Sequence, residues 1–127
     1  MEPDAEVRVP ADSAYVAVIR MASAAIAARL DFTIEEIEDL RIAVGEACAL
    51  LLPGADADGS LTVGYHLAPD GIGLTVSADS ATPRTPDQDS FAWQVLCATA
   101  ADVTTAAGDR RVTIGLTLRR DAESRPA

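Results

Sequence analysis

Apolar positions in this chain follow two periods, and the switches between them mark out its elements. "EVRVP" (6–10) alternates, with Val7 and Val9 on one face, and predicts a short strand. In "ADSAYVAVIRMASAAIAARL" (11–30), Tyr15, Val18, Ile19, Ala22, Ile26 and Leu30 recur at helical spacing behind Asp12 and Ser13, either of which can cap the helix. Arg20 and Ser23 fall off that stripe and are expected to face solvent or a partner. The second helical run, "DFTIEEIEDLRIAVGEACALLLPG" (31–54), opens on a Thr33-x-x-Glu36 capping box, with acidic residues in the first turn where the helix dipole favours them. Ile37, Leu40, Val44, Cys48 and Leu51 form its apolar stripe. Ile42, Ala49 and Leu50 widen the stripe, so Glu46 is expected among apolar neighbours, and Pro53-Gly54 ends the run.

Two alternating runs follow, "LTVGYHLA" (61–68) and "GIGLTVS" (71–77), joined at Pro69-Asp70-Gly71 as a hairpin. Residues 78–90 have no period and are rich in Pro and short polar side chains, which predicts a long surface loop of the kind that often carries function. "SFAWQVLCATAA" (90–101) predicts a third helix capped by Ser90, and "DVTTAA" and "RVTIGLTLRR" flank the turn "GDR" as a closing hairpin. The last seven residues are expected to fray. The order strand, two helices, hairpin, helix, hairpin predicts an α/β two-layer sandwich: a mixed, mainly antiparallel sheet with helices on one face. It is expected as a single domain over 1–127, with its core over about 7–120.

Composition narrows the chemistry. The 127 residues carry a formal net charge of −10, which disfavours nucleic acid as a partner and favours a basic protein surface. All ten cations are Arg, so phosphate loops ending in Gly-Lys and Schiff-base lysines are excluded. There is no Asn, and the single His66 excludes a multi-histidine metal site; no metal site is expected. His66 is expected on a strand surface. Cys48 and Cys97 lack CxxC spacing and read as small buried hydrophobes. No signal peptide and no run approaching ~20 apolar residues is evident, which predicts a cytoplasmic protein with no membrane partner.

The order of elements and the phrase "LD-x-T-x-E-E-I-x-D-L-x-x-A-V-x-E-A", Leu30 to Ala47, resemble the anti-sigma factor/serine protein kinase family typified by RsbW, small relatives of the histidine-kinase-type (GHKL) ATPases. The resemblance runs from about Val7 to Arg120; "FAWQVLCATAADV" and "RVTIGLTLRR" are similar to the family's later helix and last strand. It implies a Glu-x-x-x-Asn box in the second helix, with the Glu as general base on a substrate serine and the Asn as ligand of the Mg²⁺ of ATP. Here the pair is Glu46 and Leu50, and with no Asn in the chain no change of register restores the ligand. It also implies an Asp-x-Gly-x-Gly turn, in which the Asp meets adenine. Asp79 stands at that place without the glycines. The glycine-rich phosphate box is matched by "DQDSFAWQVL", which has no glycine, carries Asp87 and Asp89, and has Phe91 and Trp93 where the nucleotide would need space.

Each candidate residue therefore has two readings. Glu46 is a catalytic base, or a vestige facing solvent or bonding an Arg; Asp79 reads adenine, or caps a loop. The resemblance places Arg20, with Ser23 nearby, where the family meets its sigma factor; the plainer reading of Arg20 is a solvated helix arginine. Glu35, Glu36, Glu38 and Asp39 are an acidic face for a basic partner, or first-turn dipole compensation. The reading that follows from the resemblance is an anti-sigma factor that sequesters a sigma factor, is countered by a STAS-type anti-anti-sigma protein, and forms a homodimer. Its ATP site is degenerate and no cofactor is expected, with ATP and Mg²⁺ entering only if that site still works. Two alternatives stand beside it: an active ATP-dependent serine kinase of the anti-anti-sigma protein, and a small-ligand or scaffold domain on the same fold.

Overall fold

The computed structural model describes residues 2–120; the expected frayed tail (121–127) lies outside the described residues. Strand β1 (Ala5–Pro10) leads through a 3₁₀ turn (Ser13–Tyr15), in which the Asp12 side chain accepts from the Ala14 N–H, into α1 (Val16–Arg29). Helix α2 (Ile34–Leu51) begins with the expected capping box. Thr33 Oγ1 accepts from the Glu36 N–H at 3.1 Å, and Glu36 Oε1 accepts from the Thr33 N–H at 2.7 Å. A 3₁₀ turn through Pro53 closes the helix. Hairpin β2 (Ser60–Ala68) and β3 (Gly71–Asp79), helix α3 (Phe91–Thr99) and hairpin β4 (Asp102–Gly108) and β5 (Arg111–Arg119) complete the chain.

The five strands form one sheet in the order β1-β2-β3-β5-β4, and every pairing in it is antiparallel. The two hairpins lie side by side: β5 pairs with β3, which leaves β1 and β4 at the edges. Alternate residues of the three central strands point to one face and are buried there, among them Leu61, Val63 and Tyr65 on β2, Leu74 and Val76 on β3, and Ile114 and Leu116 on β5. Helix α2 runs through the middle of the helical layer, with α1 and α3 on either side, and contributes Leu40, Ala43, Val44, Ala47 and Cys48 to the core. The two-layer sandwich read from the sequence is the architecture observed, but the sheet expected to be mixed is wholly antiparallel.

Helix α1 is rotated from the expected orientation. Its buried residues are Val16, Ile19, Ser23 and Ala27, while Tyr15 and Val18 are exposed. The helix is alanine-rich and apolar almost all round, so periodicity alone does not fix the face that packs. A polar contact marks it instead. Ser23 is fully buried, donates its hydroxyl proton to the Ile19 carbonyl at 2.7 Å, and therefore accepts from Tyr65 Oη at 2.8 Å. The expectation that Ser23 faces solvent or a partner is thus corrected: its hydroxyl fastens α1 to β2.

Candidate functional site

Arg20 leaves the outer side of α1 and crosses to α2. There it meets Gly45, which is buried and has no side chain; a Cβ at this position would lie 2.7 Å from both Nε and Nη2 of the guanidinium. Any other residue would have to displace the arginine, so Gly45 makes the seat on which Arg20 rests. The positive charge is near enough to Cys48, one turn on, to favour its thiolate, but burial is the stronger effect and pushes the thiol up to about 11. Cys97, expected to be buried, is exposed on α3.

Two hollows flank the seated arginine. One, of about 620 Å³, is floored by Gly45 and Ala49 and walled by Val16, Leu52 and Pro53, with Asp12 and Ser13 at its far end. The other, of about 230 Å³, is lined by Arg20, Glu38, Arg41, Ile42 and Glu46. Glu46 is half-buried here and makes no hydrogen bond or ion pair among the described residues; Arg41 pairs with Glu38 at 2.8 Å instead. The apolar setting expected for Glu46 is corrected, because Ile42 and Ala49 turn outward and arginines stand beside the carboxylate.

Leu50, one turn beyond Glu46, lines a different hollow of about 250 Å³ with Leu51, Gly54, Ser80, Thr82, Arg84 and Val112. Asp79 lines none of these three. It borders a fourth space of about 540 Å³ at the end of the sheet, with Asp56, Arg110, Arg111 and the β4–β5 turn. Its Oδ2 accepts from the Ser60 N–H at 2.9 Å and its backbone carbonyl accepts from the Asp56 N–H at 2.8 Å, so side chain and backbone together tie the 56–60 loop to the end of β3. Ser90 caps α3 as expected, accepting from the Trp93 N–H at 3.2 Å. Trp93 packs against the core, whereas Phe91 is 78% exposed.

The chain matches the description Histidine kinase-like ATPase domain over residues 9–116, nearly the whole described fold. It belongs to that family. It is also similar to serine-protein kinase RsbW of Halalkalibacterium halodurans, 37% identical over 87 residues, which cover 68% of this chain and 52% of the relative. RsbW of Bacillus subtilis is 36% identical over 75 residues, covering 57% of this chain and 47% of the relative. The chain thus spans about half the length of the curated relatives it matches. The crystal structure of the RsbU and RsbW domains of a Mycobacterium tuberculosis protein superposes with a TM-score of 0.71 at 20% identity, covering 98% of this chain and 34% of the other. That likeness establishes the histidine kinase-like ATPase fold.

Within this ATPase-type fold the structure brings together only part of what the sequence singles out. Arg20 and Glu46 share a hollow; Leu50 and Asp79 each border another. No helix among the described residues is long and apolar enough to cross a membrane, and no group of acidic, Cys or His side chains among them could hold a metal ion. Three residues escaped the sequence reading: Gly45, Ser80 and Arg84. Gly45 sits mid-helix, where a glycine costs about 1 kcal/mol against alanine, and that penalty was the available signal. Ser80 and Arg84 lie in the 78–90 loop, whose length marks it as a candidate but whose lack of period singles out no residue.

Proposed function

We propose that this domain acts as an anti-sigma factor by binding rather than by phosphate transfer. A surface around α1, centred on Arg20, holds a sigma factor away from RNA polymerase, and a STAS-type anti-anti-sigma protein competes for an overlapping surface. The mechanism is mass action between two partners in the cytoplasm, with the chain as a homodimer. The observation that carries this reading is the dispersal of Glu46, Leu50 and Asp79 over three hollows.

Mg-ATP needs a metal ligand near the base, a free carboxylate for adenine and donors for three phosphates. The residues present do not fit it. Leu50 offers only hydrocarbon to a metal. The hollow it lines, about 250 Å³, lies below the ~300–1,000 Å³ of ordinary ligand pockets. Asp79 is engaged by Ser60, and the chain has no glycine between Gly73 and Gly108 to bring backbone N–H groups onto phosphate. Arg20 supports the binding reading from the other side. It is exposed, lies on the Gly45 seat and has no acidic partner among the described residues, so it is preorganised to receive one.

The test is sigma-factor binding to the purified chain without nucleotide. Saturable binding that Arg20→Glu weakens at least tenfold, with the circular dichroism spectrum unchanged, is the expected result. Binding that requires ATP would contradict it. A second reading, the serine kinase of the anti-anti-sigma protein, is favoured by the unpartnered, half-exposed carboxylate of Glu46. It predicts phosphate transfer that Glu46→Gln abolishes, and no transfer to a cognate STAS protein would sink it.

A further inference from the structure

The hollow beside Leu50 is small, but its lining is not random. Leu50, Leu51 and Val112 give it an apolar wall, Ser80 and Thr82 supply hydroxyl groups, and Arg84 is its only charged residue. Arg84 makes no ion pair or hydrogen bond among the described residues, although the chain carries twenty carboxylates. Ser80 is 2% exposed; its oxygen accepts from the Thr82 N–H at 3.3 Å, and its proton has no acceptor among the described residues. A buried hydroxyl proton without an acceptor is a group that a ligand can satisfy. Arg84 is exposed and is the one charged side chain among the described residues that line the hollow, so its guanidinium is open to an anion seated there.

We propose that this hollow is a binding site for a small organic monocarboxylate with an apolar body, about the size of benzoate or hexanoate. The carboxylate accepts charge-assisted hydrogen bonds from the Arg84 guanidinium and a further bond from the Ser80 hydroxyl. The hydrocarbon body lies on Leu50, Leu51 and Val112, where burial contributes about 25 cal/mol per Å². Inorganic phosphate would leave the apolar wall unused and would find too few donors for its charge. A nucleotide would exceed the space. In this view Leu50 does more than lack a metal ligand: its side chain is the floor of a different site. The site stands whether or not the domain holds a sigma factor, because none of its residues belongs to the Arg20 surface.

The test is titration of the full chain with sodium benzoate and with benzamide at constant ionic strength, followed by amide NMR. Benzoate is expected to shift the Ser80, Thr82 and Val112 amides saturably. Benzamide, equal in shape and uncharged, is expected to bind at least tenfold more weakly. Arg84→Gln should weaken benzoate at least tenfold while the rest of the spectrum stays in place, and Leu50→Asn should weaken it several-fold through the wall alone. Equal responses to benzoate and benzamide would overturn the proposal. So would unchanged binding in Arg84→Gln, phosphate shifting the same amides as tightly as benzoate, or shifts scattered over the other arginines.

Discussion

Cys48 and Cys97 carry the same thiol into opposite surroundings. Cys97 is exposed, whereas burial in α2 pushes Cys48 from 9.0 to about 11 despite the pull of Arg20. At pH 8, iodoacetamide should therefore modify one thiol per folded chain, at Cys97, and both in denaturant; rapid modification of Cys48 in the folded chain would show that its site opens. The same shift links to stability. A group whose folded pKa lies above its unfolded value contributes stability that is complete below the unfolded pKa and is lost as pH rises. The loss falls between pH 9 and 11 and amounts to about 3 kcal/mol. Tyr65 is raised in the same direction, chiefly by burial, so Cys48→Ala should flatten the fall seen in denaturant titrations without abolishing it. The Ser23–Tyr65 contact gives a further check. Ser23→Ala strands a buried phenol and should cost about 1–3 kcal/mol, while adding Tyr65→Phe should recover part of that loss, because neither polar group then remains.

At the scale of elements, local chemistry was legible wherever one residue type has one use. The Thr33–Glu36 box, the Ser90 cap and the turn after Pro69 stand where the sequence puts them, because capping and turn residues act over three or four positions. Thr33→Ala should lower stability by about 1 kcal/mol, read from the denaturation midpoint. The rotation of α1 was not legible, since an alanine-rich helix offers several apolar faces and only Tyr65, distant in sequence, selects one. The β4–β5 turn holds another unannounced feature. Asp109 and Arg110 both take positive φ, 52° and 60°, a conformation that suits glycine or asparagine. Left-handed geometry costs an L-residue roughly 1–2 kcal/mol, of which a glycine's greater unfolded-state entropy takes back part. Arg110→Gly should thus stabilise the chain by about 0.5–1 kcal/mol; destabilisation would mean that the Arg110 side chain makes a contact worth more than the strain.

For the molecule as a whole, the alternation of periods was enough to give the two-layer architecture, because each element has to bury one face and the order of elements leaves few ways to do so. The candidate site was legible only in outline. Arg20 and Glu46 could be named from their places on two helices together with the family resemblance, but which residues share a hollow depends on long-range packing of Gly45 beneath Arg20 and of the 80–84 loop near α2. A net charge of −10 should steer a basic partner, so its association rate should fall steeply between low and physiological salt while its dissociation rate changes little. We propose that an ATPase-type fold here persists without its nucleotide. Calorimetric titration of the folded chain with ATP, with and without Mg²⁺, tests it most directly. The account predicts no saturable heat in either case. Magnesium-dependent binding in the micromolar range, about −8 kcal/mol, would contradict it and return Glu46 to the position of a working base.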